Sequence, residues 1–304
     1  MAGDSLRIRV PNEEEIRAVL SMLTRAYVAG RPDFPDDPAV LGRYSSYDTG
    51  SDASNWVVLF DGSRPASALR LFMRRVSRGG NAWEPIGGIG NVGTDPDYAG
   101  RGLATRVMEA AHGRLLERQT PTAVLVTDIP DFYARLGYQP IPQSEIRTER
   151  AVEPTKSVAE KVTPPVPEEI RLAHAALASR TAGRVGRSAA YWDRWIHDFK
   201  VVHSGLDFVR DGDAYLIGRK EESGDAYRAL EGAGDPITLS RLFDRLARGA
   251  RLRKMPDDEA FRAVVDQWGS TVEERVRSGI MCAALGPAGL RPVELAGFLE
   301  TDTF

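Results

Sequence analysis

Val92-Gly93-Thr94-Asp95-Pro96-Asp97-Tyr98-Ala99-Gly100-Arg101-Gly102-Leu103-Ala104-Thr105 reads as strand, tight glycine loop and helix in immediate succession. Val92 to Thr94 end an extended run, and Pro96 stops it because proline cannot donate to a central ladder. Gly100 and Gly102 bracket Arg101 in a loop able to turn several backbone N–H groups outward. From Leu103 the apolar positions Leu103, Val107, Ala110, Ala111 and Leu115 recur at helical spacing. A helix start with glycine-freed amides attracts anions, and a phosphate or pyrophosphate is its natural guest.

Around this stretch the chain has 304 residues, which favours two domains. Hydrophobic residues make up 42%, enough for ordinary cores and against wholesale disorder. A formal net charge of -3, with both signs interspersed, argues against a protein that holds nucleic acid on a dominant basic surface. The one cysteine, Cys282, lies in the apolar run Ile280 to Leu285 and reads as a buried hydrophobe in a reducing compartment. No run is apolar and long enough to span a bilayer, and Met1 to Arg7 lacks an apolar signal core, so the expected location is cytoplasmic, away from membranes.

Upstream, Leu6 to Val10 alternates as a half-buried strand, and Asn12 with Glu15 announces a helix through Ile16, Val19, Leu23 and Tyr27 that Gly30 and Pro32 end. Arg31 to Asp52 reads as a loop with a short helix, suited to covering a site. Asn55 to Phe60 is a strand, Asp61-Gly62 a turn, and Ala66 to Val76 the returning strand. Downstream, Ala123 to Thr127 is a short apolar strand buried on both faces. Asp131 to Leu136 is a short helix stopped at Gly137, Tyr138 to Ile141 a strand, and Ile146 to Val152 can close the same sheet. Residues 153–167 shift to Pro, Thr, Lys and Ser and read as a proline-stiffened linker between domains at 1–152 and 168–304. The second half opens on a helix from Glu168 and continues with a helix carrying Tyr191, Trp192 and Trp195. A hairpin follows about Arg210 to Asp213, then helices over Ile237–Ala250 and Asp257–Trp268 and a strand at Ile280–Leu285.

Several chemistries lack support. Gly88-Ile89-Gly90-Asn91-Val92-Gly93 has GxGxxG spacing, but Asp95 and Pro96 follow where a dinucleotide site needs its helix; strand glycines at a bulge explain it better. His112, His174, His197 and His203 form no HExxH pair and no Cys/His cluster, so no metal is expected. No G-x-S-x-G elbow occurs.

The opening loop and Phe132-Tyr133-Ala134-Arg135-Leu136-Gly137-Tyr138, in that order and separated by a helix and an apolar strand, resemble the GNAT superfamily of N-acetyltransferases over the first half of the chain. The resemblance implies an α/β (α+β) fold with a mixed central sheet flanked by helices, and acetyl-CoA as co-substrate. It implies that the backbone of Val92 and Thr94 pairs with the pantetheine arm and that an N–H at Val92–Gly93 faces the reacting oxygen. Gly100, Arg101, Gly102, Leu103, Ala104 and Thr105 would cradle the pyrophosphate, with Thr127 and Asp128 nearby, and Tyr133 would act as general acid. The family's R/Q-x-x-G-x-G/A pattern is here Ala99-x-x-Gly102-x-Ala104, so a basic or amide side chain is replaced by Ala99.

The second half, with Leu172-Ala173-His174, Gly183, Arg187 and Tyr191-Trp192 before a hairpin, resembles the central domain of the enhanced intracellular survival type of acetyltransferase. That implies a degenerate GNAT-like domain without a cofactor loop; the third, sterol-carrier-like domain of that type has no room here. In that type the C-terminal carboxylate serves as base, which transfers to Phe304. The implied partner is a small-molecule or peptide amine, and self-association into a homo-oligomer is left open. The alternatives are a non-catalytic acyl-CoA-binding module and a nucleotide-dependent oxidoreductase.

Overall fold

The computed structural model describes residues 6–50, 52–149, 159–266, 268, 272–276 and 279–303. The chain begins with β1 (Leu6–Arg9) and α1 (Glu13–Gly30). Asn12 Oδ1 accepts from the Glu15 amide at 2.8 Å while the Glu15 carboxylate accepts from the Asn12 amide at 2.9 Å, the capping box that its sequence announced. α2 (Pro38–Tyr47) lies in the predicted loop, its Asp37 cap accepting from Ala39 N at 2.9 Å. β2 (Trp56–Asp61), β3 (Arg64–Gly79) and β4 (Ala82–Thr94) form an antiparallel meander, and α3 (Leu103–Glu117) crosses over to β5 (Thr122–Val126). α4 (Pro130–Ala134) and β6 (Gln139–Pro140) follow.

The next strand departs from expectation. β7 (Gln143–Glu149) does not close the first sheet; it joins the second, where Ile146 packs with Leu216, Leu242 and Met255. Residues 150–158, including the end of that predicted strand and the first part of the linker, lie outside the described residues. The described part of the linker contains β8 (Glu160–Lys161), an edge strand on β9 (Asp207–Asp211). Between them run α5 (Glu168–Arg180) and a π helix (Tyr191–His203). β10 (Ala214–Lys220), β11 (Ala226–Ala233), α6 (Pro236–Leu246), β12 (Leu252–Pro256), α7 (Glu259–Val265) and β13 (Val272–Val276) complete the second half. α7 is shorter than the expected 257–268 helix.

β14 (Ile280–Ala284) then returns to the first sheet, between β5 and β6, with Cys282 opposite Val124 on one side and Gln139 on the other. The run Ile280 to Ala283 is buried, as a strand with neighbours on both edges requires. The first sheet is β1-β2-β3-β4-β5-β14-β6, and the second, read from its other edge, is β8-β9-β10-β11-β12-β7-β13. Position by position the two sheets match, including the parallel pairs β4/β5 and β11/β12. Only the sixth strand is exchanged, so residues 153–167 separate the helices of the halves but not their strands.

The first sheet packs α3 on one face through Leu103, Val107 and Leu115, and α1 and α2 on the other through Val19, Leu23 and Leu41. The halves share core as well as strands. Phe72 of β3 meets Trp195 of the π helix edge-on at 5.8 Å, and Arg74 lies 4.9 Å from the Tyr191 ring centre.

Candidate active site

β4 and β5 pair only where Gly87 to Ile89 lie beside Ala123 to Leu125. Past that point β4 stays bonded to β3 as far as Thr94, while β5 ends at Val126. Among the described residues no strand covers the Gly90–Thr94 edge on that side. Val126, the last residue of β5, and Ile129 are 43% and 58% exposed. An open edge beside apolar side chains is a template for an extended amide-bearing ligand. The edge is also bent. Ala68 opposes Gly93 and Arg70 opposes Gly90, leaving Asn91 and Val92 bulged against a single residue, with Asn91 at φ 52. Asn91 Nδ2 is buried there with no hydrogen-bond partner among the described residues. Gly93 lets α1 approach: a Cβ on it would sit 2.7 Å from Leu23 Cδ2. Gly88 to Gly93 is therefore strand interior, not a phosphate loop, which removes the structural basis of the dinucleotide reading.

Gly100 and Gly102 adopt φ 75 and 72, which glycine takes without strain. Gly102 caps α3 with no side chain, leaving the first-turn amides of Leu103, Ala104 and Thr105 without side-chain acceptors. The loop is tied down by Asp95, a residue that the sequence reading passed over. Its buried carboxylate receives Arg25 at 2.5 Å, Arg64 at 2.9 Å and the Asp97 amide at 3.1 Å. Burial alone would raise its pKa; Arg64, the Asp97 amide and Arg25 outweigh burial and hold it below the usual carboxylate range. Tyr98 donates to Asp61 at 2.8 Å, and Arg101 stacks 5.1 Å from the Tyr98 ring centre. The only local signal was Asp-Pro; the partners lie 70 and 31 residues away.

Tyr133 on α4 is 7% exposed and meets Phe132 and Tyr138 edge-on at 4.9 and 5.9 Å. Burial, with Tyr27 and Asp128 adding to it, pushes its hydroxyl above the ordinary tyrosine range, so the group stays protonated at neutral pH. Burial likewise pushes Tyr27 up to about 12. Arg31, just past α1, reaches Asp128, just past β5, at 2.6 Å, and Thr127 Oγ1 accepts from the Ile129 amide at 2.9 Å. The two halves of the expected site thus lie on one sheet, with β4, the α3 start and α4 contributing. Phe304 lies outside the described residues; before it, Asp302 is held by Arg187 at 2.8 Å, and Lys200 Nζ donates to Thr303 Oγ1 at 3.1 Å.

The equivalent place in the second sheet is built differently. β11 and β12 also diverge, after Arg228 and Lys254, and a register shift falls at Ile217/Gly218. There, however, Asp235 caps α6, accepting from the Thr238 amide at 2.9 Å. Glu231 takes Arg187 at 2.7 and 2.8 Å, Tyr215 at 2.5 Å and Thr301 at 2.6 Å. The α6 start thus has a side-chain acceptor that the α3 start lacks, and Glu231 holds a buried ion-pair network at the register position of Gly93. Among the described residues no His, Cys, Asp and Glu group could hold a metal ion, and no helix is long and apolar enough to cross a membrane.

Residues 7–141 match the model of the acetyltransferase (GNAT) domain. Two curated Streptomyces griseus proteins, named uncharacterized N-acetyltransferase and uncharacterized N-acetyltransferase ORF5, are each 25% identical over 244 residues, covering 69% of this chain. The matched part spans 56% of the length of those relatives. Among solved structures, a GCN5-related N-acetyltransferase from Anabaena variabilis superposes with a TM-score of 0.65 at 17% identity, covering 92% of this chain and 73% of its own. Eis1 from Mycobacterium abscessus does so with a TM-score of 0.64 at 14% identity, covering 92% and 73%. The likeness in fold extends over both halves.

Proposed function

On the premise that residues 7–141 belong to the GNAT acetyltransferase family, we propose that the protein transfers an acetyl group from acetyl-CoA to a primary amine of a small molecule or peptide. The observation that carries this reading is the pairing of an open, bulged β4 edge with an α3 start that has no side-chain cap; Tyr133, in the same buried cluster as Ile89 and Val92 of β4, supports it. Acetyl-CoA supplies the activated acetyl thioester. Val92 and Thr94 pair with its pantetheine arm through the backbone, and the amides of Gly100 to Thr105 hold the pyrophosphate, with Arg101 adding charge. A backbone N–H at Val92–Gly93 donates to the thioester oxygen as charge grows there under attack by the amine. Tyr133 delivers its proton to the departing sulfur. The buried thiol of Cys282 suits a reducing compartment, and we assign the protein to the cytoplasm.

Ala99, where the family pattern has a basic or amide residue, favours one alternative, a module that binds acyl-CoA without turnover. Thiol release from acetyl-CoA, followed across a panel of amines, separates the two. Release with at least one amine supports transfer. Thermal stabilisation by acetyl-CoA with no release from any amine supports the binding module. Absence of both overturns the cofactor assignment.

A further inference from the structure

One cavity lies away from the glycine loop. It encloses about 680 Å³ between the two halves, where the far ends of β3 and β4 meet the segment before the π helix. Arg74, Arg75, Arg118 and Arg187 line it together with Trp83 and Tyr191, and among the described residues no carboxylate does. From Pro85 on its wall to the bulge at Asn91 is roughly 20 Å along β4. Arg118 and the glycine loop lie at opposite ends of α3, about 22 Å apart. The cavity is therefore separate from the open β4 edge and the glycine loop.

Its charge is unequally balanced. Arg74 shares Asp48 with Arg70, and Arg187 is matched by Glu231 and Asp302. Arg118 donates to neutral oxygens of Asn55 and Ser54; the acid beside it, Asp52, accepts from the Ser54 amide at 2.6 Å. Arg75 reaches only the Trp83 carbonyl, at 3.4 Å, and neither Arg75 nor Arg118 has an ion-pair partner among the described residues. The Arg75 backbone is tied to the other half: its carbonyl accepts from the Gly186 amide at 2.8 Å.

We propose that this cavity binds a small organic anion, a carboxylate or phosphate carried on an apolar body, whose charge meets Arg75 and Arg118 and whose body lies against Trp83 and Tyr191. Planar guanidinium groups suit both anions, and the volume is that of a small-molecule site. Because both halves supply the walls, the ligand bridges them and stabilises their association.

The probe is 8-anilinonaphthalene-1-sulfonate, an anion on an aromatic body, titrated by fluorescence onto the full chain in saturating coenzyme A. One saturable site is expected, unmoved by coenzyme A and about tenfold weaker in Arg75→Glu, the loss of one charge-assisted contact. Arg75→Gln, which keeps size and polarity, should fall between, and both variants should melt with the parent because Arg75 is exposed. Displacement by coenzyme A, unsaturable binding, or equal affinity in parent and Arg75→Glu would overturn the proposal.

Discussion

Replacing Gly102 by aspartate sets the open end of α3 against the ligand assigned to it. Gly102 sits at φ 72, ψ 14, and a Cβ added there meets nothing within 4 Å. The folding cost is then conformational only, about 1 kcal/mol for a side chain in the left-handed region. Gly102→Ala carries that cost alone and leaves the amides of Leu103 to Thr105 available. Gly102→Asp adds a carboxylate beside them, as Asp235 stands at the start of α6. Against a pyrophosphate charge about 5 Å away, at an effective dielectric of about 40, it opposes binding by about 1.7 kcal/mol. Loss of even one charge-assisted hydrogen bond adds about 1.5–3 kcal/mol, so the affinity for acetyl-CoA should fall by over about a hundredfold. Titration calorimetry with acetyl-CoA on parent, Gly102→Ala and Gly102→Asp reads this directly, with thermal melts confirming that both variants fold. An aspartate variant that binds within about threefold of the alanine variant would refute the placement of the pyrophosphate on α3, because that gap is under about 0.7 kcal/mol.

Other parts of the structure make their own demands. Asp95 has a folded pKa below its unfolded value near ~3.9, so its stabilisation is fully present above that pH and is lost as pH falls through the folded value. Asp95→Asn should therefore flatten the decline in melting temperature below about pH 4 relative to the parent, and an unchanged acid limb would contradict the ion-pair anchor. Arg187→Ala leaves Glu231 and Asp302 buried without their cation and should cost about 3–5 kcal/mol in denaturant unfolding; a loss under about 1 kcal/mol would show that the network is not held by charge. Burial pushes the Cys282 thiol up to about 12, so iodoacetamide should label it only after unfolding, and rapid labelling of the native protein at neutral pH would contradict its burial.

What the sequence disclosed was what is local. The capping box at Asn12 and Glu15, the end of α1 at Gly30, the glycine loop and the Tyr133 helix each lie within a few residues, where propensity and spacing act directly. The exchange of β7 and β14 was hidden because a short apolar strand does not say which sheet it will enter. Ile280 to Ala283 reads equally well beside β12 or β5, and only the vacancy between β5 and β6 decides. Asp95 was hidden for a related reason, since its cations come from α1 and the start of β3. The Arg187, Glu231 and Asp302 cluster joins residues 44 and 115 apart in the chain, and no spacing rule foresees it. It also marks a difference between the sheets: Glu231 stands in the register position of Gly93, so a buried ion-pair network sits where the first sheet has a bare glycine against α1.

The central claim is that acetyl transfer takes place in the first sheet with Tyr133 as proton donor, and Tyr133→Phe tests it most directly by removing one oxygen and little packing. With an accepted amine in hand, kcat should fall by about a hundredfold or more while the acetyl-CoA dissociation constant stays within about twofold of the parent. A Tyr133→Phe enzyme that turns over within about threefold of the parent, at unchanged affinity, would contradict the claim.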